Sequence, residues 1–116
     1  MGSLSEHFRE EEFACRCGCG EKDVSPDLVL LLEAVREHFN APIHVLSGRR
    51  CESHNRAVGG AKHSQHLLGT AADIVIRGVS PDDVFAYLDP IHRGGLGKYS
   101  SFTHLDVRGS KARWKG

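Results

Sequence analysis

The run TAADIVI, Thr70 to Ile76, places an aspartate inside an apolar segment with the alternation of a buried strand. Successive strand side chains point to opposite faces, so Ala71, Asp73 and Val75 share one face and Ala72, Ile74 and Ile76 the other. Burying an unpaired carboxylate costs several kcal/mol. Asp73 therefore needs a cation, a metal or several hydrogen bonds, and His66 stands seven residues before it.

SSFTHLDVRG repeats the pattern near the end of the chain. Phe102, His104 and Asp106 fall on one face, and Thr103, Leu105 and Val107 on the other, with Leu105 and Val107 expected in the core. If the two strands are close, His66, Asp73 and His104 supply two imidazoles and a carboxylate. Such a set suits catalytic zinc, which takes three protein ligands and leaves a position for water. Zinc lowers the pKa of that water toward about 7, which makes hydrolysis the natural reaction class. On spacing alone, histidines that cap turns or hydrogen-bond within the core are the competing reading.

With 116 residues, a single domain over 1–116 with one core is expected. SPDLVLLLEAVREHFN predicts a helix: Ser25 caps it, Pro26 opens it, and Leu28, Leu32, Val35 and Phe39 form the buried stripe. Glu33, Arg36 and Glu37 are expected in water, with Asn40 and Pro42 closing the helix. IHVLS then reads as a strand with Ile43 and Val45 on one face. Residues 48–69 have no convincing periodicity and read as a long loop, functional or carrying short helical turns. SPDDVFAYLDP is a second capped helix, burying Val84, Tyr87 and Leu88. GGLGKYSSFTHLDVRG holds two short strands, expected as an antiparallel pair. Two helices and several strands without regular βαβ alternation predict an α+β fold: a small, mostly antiparallel sheet with flanking helices.

Fifteen Lys and Arg balance fifteen Asp and Glu, so no net field favours nucleic acid or an anionic membrane. No apolar run of about 18 residues is present, and MGSLSEHFREEEF lacks the basic-then-apolar order of a secretion signal. Such a chain works where it is made, reaches its target by another route, or is a fragment. CRCGC spaces Cys15, Cys17 and Cys19 by two, unlike paired C-x-x-C knuckles. With Cys51, these residues are open to three readings: reduced thiols, a disulfide from Cys51 to the cluster, or a second metal site.

The segment SGRRCESHNRAVGGAKHSQHLLGTAAD, followed by FTHLDVRG, resembles the zinc D-alanyl-D-alanine carboxypeptidase family, which includes vancomycin-resistance dipeptidases and phage L-alanyl-D-glutamate endolysins. Ser64, His66, Gly69, Ala71 and Asp73 match its core motif; the upstream SG, Arg50, Asn55, Gly59, Gly60 and the late His104 match as well. The opening LSEHFREEEFACRCGCG also looks like a small single-domain branch of the family. The resemblance implies the Hedgehog/DD-peptidase fold and one catalytic Zn2+ held by His66, Asp73 and His104. It implies that Arg50 orients substrate carboxylate or carbonyl groups, as a bidentate, permanently charged fork can. Ser64 would be a supporting or substrate-contacting hydroxyl. The implied substrate is a peptidoglycan stem peptide or cross-link with a D-amino acid at or beside the scissile bond. The cell wall is the expected site of action, with a monomeric protein, no nucleic acid and no membrane insertion.

Relatives often carry Glu or His two or three positions before the last histidine; here Phe102 and Ser101 occupy those positions. Asp106 is the candidate acid/base, with His63 and His92 behind it. Its competing role is to orient a ligand or to pair with Arg108 or Arg50. The same departure sustains an alternative: a binding module for cell-wall peptides that keeps zinc and has lost catalysis. Thiol chemistry through Cys51 lacks an assignable histidine partner. His38 and His44 are expected as helix-end and strand histidines, Arg49 as exposed, and His54 as lining the site or capping a turn. RGSKARWKG reads as a basic tail whose Trp114 closes the core edge or stacks on a ligand.

Overall fold

The computed structural model describes residues 4–116. A 3-10 turn at Glu10–Phe13 leads to α1 (Pro26–Phe39), β1 (Ile43–Ser47) and α2 (Glu52–Ala57). A second 3-10 turn at Gln65–Leu68 precedes β2 (Ala71–Ile76), α3 (Pro81–Leu88), β3 (Gly95–Lys98), β4 (Thr103–Asp106) and β5 (Ala112–Lys115). The five strands form one sheet in the order β1-β2-β4-β3-β5. All neighbours are antiparallel except β3 and β5, which run parallel. This is the expected small α+β domain with a mostly antiparallel sheet and flanking helices.

Both long helices begin as their sequences require. Ser25 accepts a hydrogen bond from the Asp27 amide and Ser80 one from the Asp83 amide, each at 3.2 Å, with a proline opening the helix behind each serine. Leu28, Val29, Leu32 and Val35 of α1 and Val84 and Leu88 of α3 share one core with Val45, Ala72, Ile74, Ile76, Leu96 and Leu105. The core takes one face of the sheet. The other face of β2 and β4 is left to Asp73, His104 and Asp106, as the two-residue period demands.

The structure departs from the sequence reading at several places. Glu33 does not face water freely: it accepts from the His7 amide at 2.7 Å and pairs with the His7 ring at 2.6 Å, tying the chain at His7 to α1. Tyr87 is only half-buried, stacked on His38 with ring centroids 3.6 Å apart. Arg49 is not exposed; it pairs with Glu21 at 2.8 Å. The basic tail is strand β5, held at the sheet edge because Arg113 donates to the Asp89 carboxylate at 2.8 Å and to the Gly94 carbonyl at 2.7 Å. The region 48–69, by contrast, is as expected: a long connection carrying short helical turns, α2 and the second 3-10 turn.

Candidate active site

Strand register assembles the site. Asp73 of β2 lies directly opposite His104 of β4, and Ala71 opposite Asp106. His66 comes from the 3-10 turn just before β2, where Ser64 caps the turn by accepting from the His66 amide at 3.1 Å. The turn ends at Gly69, whose φ of +73° and tight approach to the Asp23 carbonyl leave no room for a side chain. The expected convergence is present: Asp73 Oδ1 lies 3.3 Å from His66 Nε2 and 2.9 Å from His104 Nδ1. All three residues are buried.

The donor set fits a single zinc ion. Bonds of about 2.0–2.1 Å in tetrahedral array put neighbouring donors roughly 3.3 Å apart, close to the separations found. Each histidine is also held by its other nitrogen. His66 Nδ1 meets the Gly48 carbonyl at 2.7 Å, so this nitrogen donates and leaves Nε2 as the free lone pair. His104 Nε2 meets Asp106 Oδ2 at 2.7 Å, which frees Nδ1 on the side of Asp73. A carboxylate or carbonyl behind each imidazole fixes its tautomer and raises its basicity as a ligand.

Asp106 is fully buried. Besides His104, its oxygens accept from the Gly95 amide at 3.0 Å, the Arg108 amide at 3.2 Å, and Arg108 Nε and an Nη nitrogen at 2.8 Å each. These bonds engage both oxygens and turn the carboxylate toward Nε2 of His104, away from the nitrogen that meets Asp73. Burial alone would raise its pKa, but Arg108 and His104 outweigh burial and hold it far below the usual carboxylate range. The remaining sequence candidates for proton transfer are otherwise placed: His92 bonds the Asp106 main-chain oxygen at 2.8 Å, and His63 is exposed on the wall of a cleft. Phe102, at a position where relatives often carry the acid/base, stacks on Tyr99 with centroids 4.4 Å apart.

Without metal, burial would push the Asp73 carboxyl up; hydrogen bonds from His104 and His66 outweigh it and hold the group at about 2. For His104, burial works against the cation, while Asp106 and Asp73 outweigh it and raise the pKa.

Arg50 connects this site to the cleft, which has a volume of about 1010 Å³. Its guanidinium lies 3.5 Å from Asp73 Oδ2, donates to Asn55 Oδ1 at 3.0 Å and to the Ser47 hydroxyl at 3.3 Å, and lines the cleft. Arg49, Arg56, Lys62 and Ser64 line the same cleft, with Glu21 and Glu52 as its acids. Its cationic balance suits a substrate bearing carboxylates.

Trp114 is a neighbour of the site whose role the sequence left open between core edge and ligand stacking. Its ring lies 5.0 Å from that of His104 and 5.2 Å from the Arg108 guanidinium, and its indole N–H donates to the Tyr99 hydroxyl at 2.9 Å. It walls one side of the His104–Asp106–Arg108 chain. The alternation of Ala112 and Trp114 with Arg113 and Lys115 is the only sequence signal that places it on a strand face. His54 does not reach the ligand set: it sits in α2, where its amide donates to Cys51 Sγ at 3.4 Å.

A family model described as Peptidase M15 matches residues 6–106. The chain is 38% identical over 84 residues to the probable peptidoglycan L,D-endopeptidase MepK of Haemophilus influenzae, an alignment covering 66% of this chain and 45% of that protein. The chain thus spans about half the length of the curated relative it matches.

Proposed function

Because the chain belongs to the Peptidase M15 family, we propose that it is a zinc-dependent metallopeptidase that hydrolyses an amide bond involving a D-amino acid in peptidoglycan stem peptides or cross-links. The observation that carries this reading is the convergence of His66, Asp73 and His104 beside a cationic cleft. The name of the relative makes an L,D cross-link the first bond to test. When bound, zinc supplies a Lewis acid for the scissile carbonyl and acidifies a water molecule.

The residues of the chain divide the remaining work. Arg50, shared by the cleft and Asp73, anchors a substrate carboxylate or carbonyl by charge-assisted hydrogen bonds and orients the peptide. Ser64 holds the His66 turn by its cap and sits at the cleft wall. Asp106 is assigned as a positioning residue for His104, since its lone pairs are engaged and its basicity is low. Trp114 keeps water from one side of His104. The protein acts as a monomer at the cell wall, on peptide alone. Among the described residues, no helix is long and apolar enough to cross a membrane.

The second reading, a zinc-holding module that binds cell-wall peptides without cutting them, is favoured by Ser101 and Phe102 and by the full engagement of Asp106. Mass spectrometry of digests of defined muropeptides separates the two: L,D cross-linked dimers, D,D cross-linked dimers and pentapeptides ending in D-alanyl-D-alanine. A new product that disappears on zinc removal supports the peptidase. Retention of the protein on peptidoglycan with no product from any of the three substrates establishes the module instead.

A further inference from the structure

Four sulfurs meet at a second place in the molecule. Cys15 Sγ lies 3.4 Å from Cys17 Sγ and 3.8 Å from Cys51 Sγ, and Cys17 lies 3.6 Å from Cys51. Cys19 completes the group, and all four sulfurs fall within 4.8 Å of one another. All four cysteines are free thiols. Four thiolates around one zinc at about 2.3 Å form a tetrahedron with edges of roughly 3.8 Å, the scale of these separations.

The backbone is arranged for this convergence. An extended chain would carry Cys15, Cys17 and Cys19 apart along one face, at about 3.3 Å per residue. Gly18 and Gly20 instead take left-handed φ values of +85° and +92°. The resulting turn is closed by the Gly18 amide on the Cys15 carbonyl at 3.2 Å and the Cys15 amide on the Glu21 carbonyl at 2.7 Å. Cys15 and Cys19 thereby become a C-x3-C pair, within the ligand spacing of structural zinc sites. Cys51 comes from a segment 36 residues beyond Cys15 in sequence, at the N-cap of α2. Two amides already point at sulfur, Cys51 N–H at Cys15 Sγ and His54 N–H at Cys51 Sγ, each at 3.4 Å. Such donors offset the negative charge of thiolate ligands. Arg16 pins the turn to β1 by donating to the Val45 carbonyl at 2.7 Å and the Leu46 carbonyl at 3.2 Å.

We propose that Cys15, Cys17, Cys19 and Cys51 hold a second, structural zinc ion, separate from the His66, Asp73 and His104 site. Four thiols bind one Zn2+ as four thiolates and release their protons to solvent, so no redox partner is required. The closed set leaves no position for water. The site clips residues 15–19 to the start of α2 and fixes Cys51, the residue next to Arg50. Any effect of the clip on peptide cleavage rests on the peptidase reading, whereas metal content does not.

The test is elemental analysis of the full chain, purified in zinc and desalted, beside Cys17→Ser/Cys19→Ser and His66→Ala. Cys17 and Cys19 are exposed, so their replacement leaves the core untouched, and circular dichroism checks the fold. Two zinc ions per wild-type chain and one in each variant are expected. Cobalt substitution should give thiolate-to-metal charge transfer that survives His66→Ala and vanishes in the cysteine variant. A single zinc in the wild type that is unaffected by the cysteine changes would overturn the proposal. So would an intact mass showing two hydrogens lost per bridge, or iron in place of zinc.

Discussion

The two ligand clusters are built in opposite ways. His66, Asp73 and His104 are buried and placed by strand register and a capped turn, and each histidine is locked by a partner on its far nitrogen. The cysteines lie on irregular chain, with Cys17 and Cys19 exposed, and are gathered by two left-handed glycines. The first cluster is preorganised by the fold, while the second would itself organise the segment that holds it. A site that must leave a coordination position open needs rigid support from its surroundings, whereas a closed one can lend stability to a loop.

Predictions follow from how far each residue stands from the buried cluster. Removing a ligand has the largest effect: His66→Ala should lose the buried zinc and reduce muropeptide cleavage to background, read by metal analysis and product mass. If the same change also empties the cysteine cluster, the two sites are not independent. Asp106→Asn keeps the shape but deprives His104 of its carboxylate, and should cost about 10–100-fold in zinc affinity or activity, measured by competition with a chelator. A normal zinc affinity and an abolished acidic limb of the pH profile would instead make Asp106 the acid/base. Arg50→Lys retains charge and loses the fork; kcat/KM should fall about 10-fold, mainly through KM, with zinc content unchanged.

The smallest effect concerns the metal-free protein. Asp73 has a folded pKa of about 2 against an ordinary value of 3.8, so its contribution is present above the ordinary value and is lost as pH falls through about 2. That contribution is roughly 2 kcal/mol. The raised pKa of His104 acts oppositely: its stabilisation is complete below the ordinary histidine value and is lost as pH rises through the raised one. The thermal stability of the chelated protein should therefore fall toward alkaline pH, while zinc, which competes with a proton for His104 Nδ1, should bind better there. Asp73→Asn should remove much of the chelated protein's pH dependence.

Much of this organisation was legible because it depends on local periodicity. The alternation in TAADIVI and FTHLDV predicted which side chains leave the core, and the serine-proline starts located both long helices. Spacing alone could not bring His104 beside Asp73, since their juxtaposition is a matter of register between strands distant in sequence. The bonding of Asp106 also lay beyond the pattern: sharing a face with His104 fits a base and an orienting carboxylate equally, and the bonds to Arg108 and Gly95 are what support the orienting role proposed for it. Strand β5 was missed because Arg113 anchors it through distant carbonyls, and the cysteine spacing looked wrong for zinc until the glycine conformations turned the chain.

The most direct test of the central claim is a zinc titration of the chelated wild-type protein, followed by mass spectrometry of muropeptide products beside His104→Ala. The account predicts that product formation rises with occupancy of the buried site and is absent from the His104→Ala protein at every zinc concentration. Cleavage by the chelated protein, or by His104→Ala at the wild-type rate, would contradict it.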